Sequence, residues 1–205
     1  MKFFFVRHGK DDDSYRGGWS NLDLVDEGRE QALQLAAYLY ENQKINKINC
    51  VISSDLVRTM STAAYIADRL SIPIIQESQI REMNNGDLAG ISNKLAEEKY
   101  PGLYFNTLEM TERYPNGESP AEFYGRIKNW LFKFMSEYHD KTENILVVTH
   151  SGVINIIYYI INNMDWSNKA KPFKVSNCSI HILDSISMKF ECENRTCFLN
   201  SKREM

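Results

Sequence analysis

The sequence lacks the features that would send a chain into a membrane, onto nucleic acid or around a structural metal. Its four cysteines, Cys50, Cys178, Cys192 and Cys197, contain no Cys-x-x-Cys pair, so neither a zinc site nor a redox motif is spelled out, and free thiols are expected. After Met1 and Lys2 only Phe3 to Val6 are apolar before Arg7 and His8 interrupt, far short of the ~20 apolar residues of a membrane span or of a signal-peptide core. The expectation is a cytoplasmic protein that does not partner a membrane. Basic charge is not in excess: 24 Lys and Arg stand against 27 Asp and Glu, a formal net charge of -3. That balance offers no bulk attraction to nucleic acid, so any anion must be held by a local site. Repeats, linkers and low-complexity tracts are missing as well.

What is present is a globular balance, 43% apolar and 25% charged over 205 residues, enough chain for one domain over residues 1–205 with its own core. Four short apolar runs, Phe3 to Val6, Cys50 to Ile52, Ile74 to Ile75 and Ile145 to Val148, are each followed by a helical pattern. Strands alternating with amphipathic helices predict an α/β fold with a doubly wound, mostly parallel sheet. Helical spacing puts Ala32, Leu33, Ala36 and Leu39 on one face of the first helix and Val57, Met60, Ala63, Ala64 and Ala67 on one face of the next. Ser119, Pro120 and Glu122 form a capping-box start for a third helix, whose stripe is Phe123, Ile127, Trp130, Leu131 and Phe134. A fourth, more apolar helix is expected from about Gly152 to Asn162, then strands from Ser179 to Leu183 and in a hairpin around Asn194. Two long connections remain, residues 9–25 and 84–118. Tyr100, Tyr104, Phe105 and Tyr114 give the second one packing of its own, and it reads as an inserted lid.

Three of the strands end in groups suited to one phosphate. The first runs into Arg7-His8-Gly9, the second leads through Ser53-Ser54-Asp55-Leu56-Val57 to Arg58, and the fourth ends at His150-Ser151-Gly152. The carboxyl ends of strands form the ligand crevice of open α/β sheets, so these residues can converge there. Paired guanidiniums hold phosphate oxygens by forked, charge-assisted hydrogen bonds, which suits Arg7 and Arg58. Two neighbouring cations keep a histidine neutral and therefore nucleophilic, so His8 is the candidate to accept the phosphoryl group. His150 would donate to the phosphoryl oxygens as charge develops. The leaving alkoxide needs a proton, for which Glu82, just after the apolar stretch ending at Ile80, is preferred over Asp87. No metal and no cofactor is called for.

These motifs resemble the histidine phosphatase superfamily, the phosphoglycerate-mutase-like group, from Phe3 to about Leu183. The matching pieces are Arg7-His8-Gly9, Gly18-Trp19-Ser20-Asn21, Asp26 to Ala32, Ser53 to Thr59, Arg81-Glu82, Asn116 to Ser119 and Val148 to Gly152. The resemblance implies a three-layer α/β/α sandwich, a phosphorylated His8, a phosphate pocket of Arg7, Arg58 and His150, and Glu82 as proton donor. Ser14, Ser151 and Gly152 join the expected substrate contacts. Two positions depart from the pattern: Lys10 stands where members often have Glu or Gln, and Ser14 where many have a phosphate-binding Asn. Arg16 or Asn21 are the candidates to compensate.

Three other functions compete with a phosphatase for a small-molecule phosphate monoester. A mutase must hold a second anionic group, yet residues 84–118 carry three bases, Lys94, Lys99 and Arg113, against six acids, Asp87, Glu97, Glu98, Glu109, Glu112 and Glu118. The resemblance also leads one to expect an adjacent arginine pair in the lid of a full mutase, and these residues lack one, so hydrolysis is favoured. Asp11-Asp12-Asp13 resembles the paired aspartates of magnesium-dependent phosphatases, but Arg7 to Lys10 separate it from the strand end. A non-catalytic phosphate-binding module would most easily have lost His8 or Glu82, and both are present. The composition is compatible with a homodimer.

Overall fold

A computed structural model of the chain describes residues 1–138 and 142–199. Six strands, β1 (Lys2–Arg7), β2 (Ile48–Ser53), β3 (Ile74–Gln76), β4 (Asn144–Thr149), β5 (Ile180–Asp184) and β6 (Lys189–Arg195), form one sheet in the order β3-β2-β4-β1-β5-β6. The first four are parallel, while β5 runs antiparallel to β1, and β6, antiparallel to β5, closes that side in the direction of the first four. The sheet is therefore doubly wound and mostly parallel, as expected.

Alternation along the central strands builds a core on each face. Phe4 and Val6 of β1, with Leu146 and Val148 of β4, face the layer made by α1 (Asp26–Glu41) and α3 (Val57–Leu70). Phe3 and Phe5, with Ile145 and Val147, face the layer made by α5 (Pro120–Tyr138) and α6 (Ser151–Ile161). This is the three-layer α/β/α sandwich. Two short helices, α2 (Gln43–Asn46) and α4 (Asn93–Lys99), lie in connections. Among the described residues no helix is long and apolar enough to cross a membrane.

The capping box forms as read: the Ser119 N–H donates to Glu122 Oε2 at 2.8 Å and the Glu122 N–H to Ser119 Oγ at 3.2 Å. All five residues of the α5 stripe are buried. The faces of α1 and α3 need correction. Leu33 is exposed and Leu35 takes its place with Ala32, Ala36 and Leu39, because Leu33 sits about 100° around the helix from Ala32. Val57 is exposed, and the inward positions belong to Arg58, Thr59 and Thr62 beside Ala63, Ile66 and Ala67. A count of apolar residues misses a helix that turns polar groups toward a site. The hairpin is also relocated. Its turn lies at residues 185–188, where Asp184 Oδ1 accepts from the Ile186 and Ser187 N–H groups, while Asn194 lies inside β6.

Candidate active site

Strand register brings the two histidines together. Arg7 pairs with Thr149 at the carboxyl ends of β1 and β4, so the residues that follow, His8 and His150, emerge side by side with ring centroids 5.1 Å apart. Arg58, on the first turn of α3, inserts its guanidinium beside them and is 2% exposed. Its Nε lies 3.3 Å from His8 Nε2 and its Nη2 3.3 Å from His150 Nδ1. Arg7 reaches from the other side, its Nη1 donating to the Val175 carbonyl at 2.9 Å while its buried Nε has no partner.

Hydrogen bonding assigns the tautomers. His8 Nδ1 is 2.7 Å from the Gly9 carbonyl, which can only accept, so Nδ1 carries the proton. Nε2 keeps its lone pair and faces Arg58. In His150, Nδ1 faces the donating Arg58 guanidinium and Nε2 lies 2.9 Å from Ser54 Oγ, so Nε2 carries the proton. Both rings are held well below the ordinary histidine pKa of 6.5, first by burial and then by Arg58 and other nearby positive charge. Burial outranks the arginines that sequence reasoning credited.

The backbone of this pocket depends on close approach. A β-carbon on Gly28, in the first turn of α1, would lie 2.0 Å from the Lys10 carbonyl oxygen, so only glycine lets α1 seat against the loop after His8.

Glu82 is fixed from three directions. Its Oε2 accepts the Gly152 N–H at 3.0 Å, at the start of α6, and its own carbonyl accepts from Trp19 Nε1 at 2.7 Å and from Arg126 Nη2 at 3.1 Å. Arg126 is held in turn by Glu118, to which its Nε donates at 2.7 Å. Asp87, the competing carboxylate, is exposed and accepts from Asn116 Nδ2 at 3.0 Å.

His8, Arg7, Arg58, His150, Glu82 and Gly152 thus converge, and Ser151 stands next to them as the first residue of α6. Ser14 does not join them. It is exposed, and its hydroxyl donates to Asp12 Oδ1 at 2.6 Å in a local turn that draws it away from the pocket. Asn21 is exposed as well, and Lys10 donates to Glu27 Oε2 at 2.6 Å on the surface. Sequence reasoning missed Ser54 beneath His150. It also missed Ser20, whose carbonyl and hydroxyl each lie 3.4 Å from Arg58 Nη1, and Asp11, 3.4 Å from Arg58 Nε. Asp11 belongs to the run Asp11-Asp12-Asp13, and nothing in its spacing separates it from Asp12 and Asp13.

A cavity of about 530 Å³ opens where Glu82 and Gly152 stand, and Gly18, Arg16, Tyr104 and Tyr114 also line it. The six acids of residues 84–118 are not among its lining residues. Among the described residues no cluster of three or more His, Cys, Asp or Glu could hold a metal ion. The four cysteines are free.

Comparison with known proteins gives one family. The model of the histidine phosphatase superfamily (branch 1) matches residues 3–197. Phosphoserine phosphatase 1 of Hydrogenobacter thermophilus is 28% identical over 188 residues, 89% of this chain and 86% of that one. Phosphoglycerate mutase-like protein 4 of Arabidopsis thaliana is 32% identical over 161 residues, 75% of this chain and 67% of that one. The α-ribazole phosphatase structure from Shigella flexneri superposes with a TM-score of 0.82 at 21% identity, over 96% of this chain and 97% of that one. That likeness speaks to fold alone.

Proposed function

The chain belongs to the histidine phosphatase superfamily (branch 1), and from that premise we propose that it hydrolyses a small-molecule phosphate monoester through a phosphohistidine on His8. The observation that carries this reading is the His8 tautomer. The Gly9 carbonyl holds the proton on Nδ1 and leaves Nε2 its lone pair, which accepts from Arg58 Nε at 3.3 Å and is released for in-line attack when phosphoryl oxygens take up the arginine's donors.

In the first step Nε2 forms a bond to phosphorus as the ester P–O bond breaks, and the departing oxygen takes a proton from Glu82. In the second, water attacks phosphorus and gives its proton to Glu82, the P–N bond breaks, and inorganic phosphate leaves with the enzyme restored. Arg7 and Arg58 hold the phosphoryl oxygens in both steps, and the unpaired Nε of Arg7 finds its acceptor there. His150 needs a donor at Nδ1 to help. The arriving phosphate adds negative charge beside the ring, so the ring takes up a second proton, donating from Nδ1 to the phosphoryl group and from Nε2 to Ser54. No metal is needed to generate the nucleophile.

The relatives' names include both a phosphatase and a mutase-like protein. Hydrolysis is favoured here because residues 84–118 lack the adjacent arginine pair that the resemblance associates with full mutases; a second anionic group on the ester is compatible with hydrolysis. The chain is read as one domain with residues 84–118 as a lid, working in the cytoplasm on a soluble ester. The test is a monoester panel including p-nitrophenyl phosphate, run with EDTA and beside His8→Ala, with alkaline SDS quenching to trap labelled protein. Turnover that resists EDTA, vanishes in His8→Ala and passes through an acid-labile, base-stable phosphoprotein is expected. Wild-type turnover in His8→Ala overturns the mechanism, and phosphate binding without hydrolysis of any ester makes the chain a binding module.

A further inference from the structure

We propose that the cavity beside Glu82 selects esters whose leaving group carries a second negative charge, with Arg16 and Lys171 as the groups that recognise it. This rests on the hydrolase reading above and names its substrate class. Three cations, Arg16, Lys169 and Lys171, line the cavity, and Glu82 is the one carboxylate among its lining residues. Lys169 is already committed. Its ammonium donates to the Leu108 carbonyl at 2.9 Å and lies 3.5 Å from Glu109, tying the segment after α6 to the lid.

The other two are free to bind. The Arg16 guanidinium stacks over the Tyr104 ring at 4.2 Å, and its Nε is buried without a partner. Its side chain makes no hydrogen bond or ion pair with any described residue. The Lys171 ammonium sits 5.3 Å from the centre of the Phe105 ring and is likewise unpaired among the described residues. Stacking on aromatic faces holds both cations in place without using their N–H donors. A leaving group without an acceptor would leave the buried Arg16 N–H unsatisfied, a neutral oxygen would satisfy it with an ordinary bond, and a carboxylate or a second phosphate satisfies it with the stronger charge-assisted one.

The acids that make the lid negative do other work. Glu97 accepts from Tyr104 Oη at 2.9 Å, Glu118 pairs with Arg126, Asp87 holds Asn116 and Glu109 faces Lys169. The acids of residues 84–118 therefore lie off the cavity's lining, and the cations that set the cavity's sign come from residues 16 and 171, outside that segment. Asn168, buried against the same cavity, donates from Nδ2 to the Leu108 carbonyl at 2.8 Å and keeps a buried, unpartnered Oδ1.

Matched esters test the assignment. O-phosphoserine is compared with phosphoethanolamine and 3-phosphoglycerate with glycerol 3-phosphate, pairs that differ in a carboxylate; glucose 1,6-bisphosphate against glucose 6-phosphate asks the same of a second phosphate. At least one kind of pair should show a kcat/KM preference of about tenfold or more for the doubly anionic ester, the size of one charge-assisted bond. Arg16→Gln should reduce that preference to about twofold or less, and Lys171→Gln, at an exposed position, should reduce it in part. Equal kcat/KM within every pair, or a preference that survives in the double variant, overturns the proposal. Failure to hydrolyse any ester, p-nitrophenyl phosphate included, instead overturns the hydrolase reading on which it rests.

Discussion

Arg58 Nε lies 3.3 Å from His8 Nε2, and both side chains are almost wholly buried. Burial first, and then this cation against the lone pair of the proposed nucleophile, keep that nitrogen unprotonated, and the guanidinium is already placed where phosphoryl oxygens must arrive. Its other nitrogens are satisfied by Gly18, Ser20 and His150, so the fork is fixed before substrate binds.

Arg58→Lys should therefore lose about 100-fold or more in kcat/KM, since an ammonium restores the charge but not the forked geometry. Steady-state kinetics with p-nitrophenyl phosphate measures this, and activity within about threefold of wild type would show that the charge alone suffices.

The contact between Glu82 and the Gly152 N–H predicts a dependence on the leaving group. Glu82→Gln should slow hydrolysis of alkyl phosphates by about 100-fold or more but affect p-nitrophenyl phosphate far less, because p-nitrophenolate departs without a proton. Gly152→Ala should reproduce the same pattern, since its β-carbon would lie 2.2 Å from Glu82 Oε1 and must displace the carboxylate. An equal loss on both ester types would assign Glu82 to binding instead.

Ser54 Oγ, 2.9 Å from His150 Nε2, fixes which His150 nitrogen faces the pocket. Ser54→Ala should lower kcat by about tenfold with a smaller change in KM, since the bond acts through His150 in the transition state. Ser54→Thr, which keeps the hydroxyl, should recover part of the loss. A Ser54→Ala enzyme with unchanged kcat would show that His150 needs no such support.

The parts legible in the sequence were those with a local signal. Apolar runs marked β1 to β4, Ser119 and Glu122 marked the start of α5, and strand ends pointed to His8 and His150. Arg58 was legible as a motif member but not as a reason for α3 to turn Thr59 and Thr62 inward. Ser54, Ser20 and Asp11 act through tertiary contacts with His150 and Arg58, and a serine or aspartate in a loop carries no periodicity that predicts such a partner. The sign of the cavity was obscured for the same reason. A charge count along residues 84–118 cannot show that Glu97 and Glu118 bind Tyr104 and Arg126 while Arg16 arrives from the first loop.

His181 takes no part in the site but bears on stability. It is fully buried in β5, with Nδ1 2.8 Å from Tyr158 Oη and accepting from the Asn194 N–H at 3.3 Å, and Nε2 2.9 Å from Ser179 Oγ. Burial lowers its pKa from 6.5 to about 4, and His8 and His150 are lowered too, chiefly for the same reason. The unfolded chain thus binds protons below pH 6.5 that the folded chain refuses. Folding stability should be flat above that pH and fall as pH drops from about 6.5 toward 4, His181 alone accounting for a loss on the order of 3 kcal/mol. Urea unfolding at pH 7.5, 6.5, 5.5 and 4.5 reads this directly. His181→Asn, which cannot take up a proton, should start less stable at pH 7.5 but lose less between pH 6.5 and 4.5. Parallel losses in the two proteins would mean that His181 is not charged on unfolding, and that the acid sensitivity belongs to His8 and His150.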